Sequence, residues 1–139
     1  MAMRTTYLLD TNILLRFLTR DDIDQCAAVE ALFARAVAGE VVLKIPFIAI
    51  TETVFTLGTL YRTNHSIIAD ELLKIVRAPG FVLSCPLWIV DALEEYRTKN
   101  VSFGDACIAA EARYEELPIA SFDKGFKKFA DVVRYEPGE

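Results

Sequence analysis

The chain has 139 residues, 53% of them hydrophobic, and 20 acidic side chains against 15 basic ones for a formal net charge of −5. That length suits one domain, residues 1–139, with a single core, and nine Phe, five Tyr and one Trp exclude a disordered chain. The acidic balance argues against a protein that coats nucleic acid nonspecifically, which needs a phosphate-neutralising surface, but leaves room for an acidic site rimmed by local cations.

Met1-Ala2-Met3 is set aside as an alternative start or cloning remnant. Thr6 to Leu9 then reads as a buried strand ending at Asp10, followed by a helix from about Asn12 to Thr19. Asp22 with Gln25 three residues on is a capping pair for a second helix that stops before Gly39. Val41 to Ile45 is a β-branched strand, and Pro46 fits the first turn of a helix running to about Tyr61. Ser66 is placed to cap a helix ending before Pro79-Gly80; Phe81 to Ser84 is a third strand, and Pro86 opens a helix through Lys99. Ser102 caps the next helix, to about Glu116, Ile119 to Ser121 is a short strand leading into Asp123, and Val132 to Tyr135 is the last strand. Strands alternating with helices predict an α/β fold with a mostly parallel sheet covered on both faces. Sites in such sheets form at the carboxyl ends of strands, where Asp10 and Asp123 fall.

Cys26, Cys85 and Cys107 are an odd set without C-x-x-C spacing, each among apolar neighbours, as expected of buried thiols in a reducing compartment. No basic segment leads into a long apolar stretch at the N-terminus, and the most apolar window, Val41 to Leu60, is broken by Lys44, Pro46 and Glu52. A soluble cytoplasmic protein is expected.

Four carboxylates carry the functional signal. Glu52 and Lys44 are the only charges between Val41 and Tyr61, and helical spacing puts Ile48 and Phe55 on the side of Glu52. A carboxylate on a buried apolar face costs several kcal/mol unless paired, so Glu52 is either functional, an edge residue or half of an ion pair. Asp10 has an N-cap as its bland alternative, Asp105 a capping box with Ser102, and Asp123 a simple turn. Taken together, four acids at one sheet edge repel one another unless a hard divalent cation joins them, and Mg²⁺ prefers oxygen ligands. His65 is the only histidine, expected in a solvated loop, and no G-x-S-x-G, P-loop or Cys/His metal spacing occurs. A carboxylate-only site fits hydrolysis of a phosphodiester by metal-activated water.

These residues also carry a resemblance. Leu8-Leu9-Asp10-Thr11-Asn12-Ile13-Leu14-Leu15-Arg16 resembles the opening motif of PIN-domain ribonucleases, and Ile50-Thr51-Glu52-Thr53-Val54 their helical Glu motif. Val101-Ser102-Phe103-Gly104-Asp105-Ala106-Cys107-Ile108-Ala109-Ala110 resembles the third motif, and Ile119-Ala120-Ser121-Phe122-Asp123-Lys124-Gly125-Phe126 the fourth. Each motif is short, but the ordered set spans nearly the whole chain, whose single-domain size is similar to the VapC-type toxins of toxin–antitoxin pairs. The resemblance implies a three-layer α/β/α sandwich, Mg²⁺ or Mn²⁺ as cofactor, RNA as substrate, and a homodimer held in check by a cognate antitoxin. Gly104 and Glu116 depart from the family pattern, the latter where a glycine often turns the chain.

On this reading Asp10 and Asp105 are the principal metal ligands, and Glu52 and Asp123 complete the acidic, catalytic set. Thr11, Asn12, Arg16, Ser121 and Lys124 are candidate substrate contacts, Thr11, Asn12 and Ser121 being able to hold waters or carboxylates as well as substrate, with Lys127 and Lys128 as further cations beside the fourth motif. Two other classes remain. A haloacid-dehalogenase-type phosphatase also begins with an Asp after a strand, but wants a second Asp where Asn12 stands. A catalytically silent binding module of the same fold has no reason to retain all four acids.

Overall fold

The structure, a computed structural model, describes residues 4–84 and 87–139. The chain forms two compact units, Met1–Pro86 and Leu87–Glu139.

In the first unit, β1 (Thr5–Leu8), β2 (Val41–Ile45) and β3 (Phe81–Leu83) form a sheet in the order β1-β2-β3, with both pairings parallel. Four helices make the connections: α1 (Thr11–Thr19) and α2 (Ile23–Val37) between β1 and β2, then α3 (Phe47–Thr59) and α4 (His65–Val76) between β2 and β3. The central strand buries Val41, Leu43 and Ile45 among the apolar faces of these helices, represented by Leu14, Phe33, Ile50, Ile68 and Leu72. Phe33 holds the aromatic centre, its ring 4.6 Å from Phe17 and 4.9 Å edge-on from Phe81. Gly80 is required at the turn into β3: its φ is +88°, and a Cβ there would lie 2.2 Å from the Ala36 carbonyl oxygen.

In the second unit, α5 (Trp88–Thr98) packs on α6 (Phe103–Glu115), and β4 (Ile119–Ala120) pairs in parallel with β5 (Arg134–Tyr135). Ile89, Leu93, Tyr96, Phe103, Ala109, Phe126 and Phe129 are buried. Arg113 of α6 gathers two acids, pairing with Glu95 at 2.8 Å and forking onto Asp131, with Nη2 to Oδ1 at 3.1 Å. The Arg113 hydrogen bonds hold the Asp131 carboxyl below the usual carboxylate range.

Alternating elements with parallel pairing are as predicted, and most boundaries fall within a residue or two of expectation. Several particulars differ. β1 was expected to be buried, yet Thr5 to Leu8 are all exposed and burial begins at Leu9. β1 is the edge strand of its sheet, paired with β2 alone among the described residues. α4 is capped by Asn64, whose side chain accepts from the Ser66 amide at 2.9 Å, so Ser66 is inside the helix and His65 is its first residue rather than a loop residue. Asp22 does accept from the Gln25 amide, but the Gln25 side chain turns to Arg16, so the capping pair is one-sided. A 3₁₀ helix, Lys124–Lys128, was not anticipated. Glu116 closes α6 in the left-handed region at φ 56°, which explains why a glycine would suit this position. Cys26 is a buried free thiol and Cys107 is also buried, whereas Cys85 and the helix start expected at Pro86 lie outside the described residues. No helix among the described residues is long and apolar enough to cross a membrane.

Thr53 yields a stability prediction. It is 0% exposed in α3, and its hydroxyl has no hydrogen-bond partner among the described residues. An unsatisfied buried hydroxyl costs about 1–3 kcal/mol, so Thr53→Val should raise unfolding stability by roughly 1 kcal/mol. A urea midpoint that falls in Thr53→Val would show that the hydroxyl is satisfied.

Candidate active site

β1 hands directly into α1, and Asp10 occupies the junction in extended conformation, φ −78° and ψ 153°. Its Oδ1 accepts the Thr11 amide at 2.8 Å, capping the helix and placing negative charge at the positive end of the α1 dipole. Asp10 is therefore a cap as well as a candidate ligand, and its Oδ2 has no hydrogen bond among the described residues.

Glu52 is in the second turn of α3. Its Oε1 accepts from the Thr11 hydroxyl at 3.2 Å. Two carboxylates far apart in sequence thus meet at one residue, Thr11, bound to Asp10 by its amide and to Glu52 by its hydroxyl. The far ends of the same helices are joined as well: Tyr61 donates to Asp21 at 2.8 Å, as does Thr19, so α1 and α3 run in the same direction. The Tyr61 hydroxyl, more than Thr19, draws the Asp21 carboxyl below its ordinary range, and the same bond lifts the Tyr61 phenol.

The burial expected of Glu52 is not observed. Ile48 and Phe55 do share its side of α3, but that side faces solvent, with Ile48 61% and Phe55 67% exposed, and Glu52 is exposed between them. The carboxylate therefore bears no burial penalty of the kind its apolar neighbours predicted. Asn12 is exposed in the first turn of α1. Arg16 is committed within the unit, its Nε donating to Gln25 at 2.6 Å and its Nη1 3.5 Å from Asp21.

In the second unit, Ser102 caps α6 by accepting the Asp105 amide at 3.0 Å. The Asp105 side chain, half-buried in the first turn, makes no hydrogen bond among the described residues, so the reciprocal arm of a capping box is missing and both its oxygens remain uncommitted. Asp123 follows β4; its Oδ1 accepts the Gly125 amide at 2.7 Å, and its own amide donates to Ser121 Oγ at 2.9 Å. Gly125 was missed as a site residue: a Cβ there would fall 2.9 Å from Asp123 Oδ1, so a side chain at 125 would displace the carboxylate. The G two residues after the last acid was the available signal. Lys124 and Lys127 are exposed, whereas Lys128 donates to the Asn100 carbonyl at 2.8 Å.

In the first unit Oδ2 of Asp10 and the second oxygen of Glu52 are uncommitted among the described residues, and in the second unit both oxygens of Asp105 and Oδ2 of Asp123 are. Such oxygens fit a hard divalent cation that retains part of its water shell. Among the described residues, no group of three or more His, Cys, Asp or Glu is gathered so as to hold a metal.

The sequence matches the family described as PIN domain over residues 7–132, a span that contains all four acids. PIN domains as a class are nucleases that generally use divalent metals. No match was found among curated proteins. With its parallel α/β elements and a family match covering nearly its whole length, the chain belongs to the PIN domain family.

Proposed function

We propose that this protein is a Mg²⁺- or Mn²⁺-dependent endoribonuclease, residues 1–139 forming one nuclease domain with Asp10, Glu52, Asp105 and Asp123 as its metal-holding acids. The observation that carries the proposal is the joining of Asp10 and Glu52 at Thr11, within a family match that includes all four acids. Asp10 and Asp105 are the principal ligands; Glu52 and Asp123 complete the set directly or through water. A divalent cation bound there supplies activation of water and neutralises charge on the phosphoryl oxygens. Asn12 and Lys124, both exposed, are the best-placed substrate contacts of the predicted set. Arg16 meets substrate only by leaving Asp21, and Ser121 serves chiefly to set the Asp123 loop. The further reading is a cytoplasmic toxin, acting as a homodimer and restrained by a cognate antitoxin; its support is the order of the four motifs along the chain.

The test is cleavage of structured and unstructured RNA by purified protein with Mg²⁺ or Mn²⁺ and with excess chelator. Cleavage should require the cation, stop in chelator and return when metal is restored. Cleavage undiminished in chelator would refute the metal assignment. For the toxin reading, expression in a bacterial host should arrest growth, and growth unaffected by an active enzyme would count against it.

A further inference from the structure

We propose that Thr11 is a positioning residue that braces the Asp10 and Glu52 carboxylates beside each other before any cation arrives, an inference that rests on the nuclease reading. Thr11 uses both of its donors on acids: the amide on Asp10 Oδ1 at 2.8 Å and the hydroxyl on Glu52 Oε1 at 3.2 Å. A threonine hydroxyl has one proton, so this contact leaves none for substrate, and Thr11 is better placed to act through Glu52 than to touch RNA. Its side chain suits the task because it is short and carries the hydroxyl on Cβ, within reach of Glu52 from the first turn of α1. Glu52 gains from such a partner: it is exposed, it shares Thr11 with a second acid, and like charges brought to one residue repel. The brace leaves one oxygen of each carboxylate available and reduces the ordering that cation binding must accomplish.

The experiment follows Mn²⁺ affinity by electron paramagnetic resonance in wild type, Thr11→Val, Thr11→Ser, Glu52→Ala and Thr11→Val/Glu52→Ala. Loss of the hydroxyl in Thr11→Val should weaken binding roughly tenfold, as for other groups that orient metal ligands, while Thr11→Ser stays within about twofold. Once Glu52 is Ala, Thr11→Val should add nothing. In parallel, the Glu52 carboxyl ¹³C resonance of metal-free protein, assigned by its loss in Glu52→Ala, should move in Thr11→Val and stay in place in Thr11→Ser. An unmoved resonance in Thr11→Val, or an equal loss of affinity in both Glu52 backgrounds, overturns the brace. Wild-type protein that takes up no Mn²⁺ overturns the nuclease reading instead, and the resonance still decides whether the brace exists.

Discussion

Asp10→Asn should reduce metal-dependent RNA cleavage by on the order of a hundredfold or more, exceeding the roughly 10- to 100-fold effect of groups that only orient ligands. The substitution is informative because of what it spares. Asn keeps a side-chain oxygen for the Thr11 amide, and Asn and Asp are about equal as N-caps, so α1 retains its cap. What disappears is the negative charge that a hard cation requires. Activity should fall with the melting temperature nearly unchanged, and Mn²⁺ affinity should fall with it. Asp24→Asn, in the first turn of α2, provides a charge-matched control expected to retain cleavage. An Asp10→Asn protein that cuts RNA within a few fold of wild type would sink the assignment of Asp10 as a ligand.

Phe129→Ala should lower unfolding free energy by about 3–5 kcal/mol. Phe129 is 1% exposed and is among the largest fully buried side chains. Its ring centroid is 6.2 Å from that of Phe126, and the Lys99 ammonium sits 5.1 Å above its face. Lys99 in turn pairs with Glu95 at 3.1 Å and reaches the Lys128 carbonyl, so the ring supports the segment that closes the 3₁₀ helix after Asp123. Truncation leaves a cavity and a cation without its aromatic platform. Urea unfolding should show a lower midpoint at unchanged slope. A loss below about 1 kcal/mol would mean that the site collapses around the smaller side chain and that Phe129 is not a principal core residue.

The candidate site was legible in the sequence because its chemistry is local to short motifs. An acid after a strand and an acid three residues beyond a capping Ser are readable from neighbours, and Asp10 and Ser102 occupy the caps those patterns predict. Thr11 was readable as a polar candidate beside an acid, for substrate, water or a carboxylate; that its hydroxyl reaches Glu52 depends on the packing of α1 against α3, which no window of sequence contains. Arg16 illustrates the converse. It looks like an available cation in its motif, yet folding brings Gln25 and Asp21 to its guanidinium.

The sequence by itself determined the order and kind of the elements, since hydrophobic period, caps and Gly/Pro punctuation act over a few residues, and parallel pairing follows from the long crossovers between strands. It also determined the family, whose match covers residues 7–132. Only the tertiary structure decided which faces are buried. Apolar residues at β1 and around Glu52 look like core in a linear pattern, but exposure depends on what packs against them, and Leu8, Ile48 and Phe55 remain open to solvent. The choice of Asn64 over Ser66 as cap, the 3₁₀ turn after Asp123 and the meeting of two carboxylates at Thr11 were settled in the same way, by contacts and backbone geometry that arise only when the elements assemble.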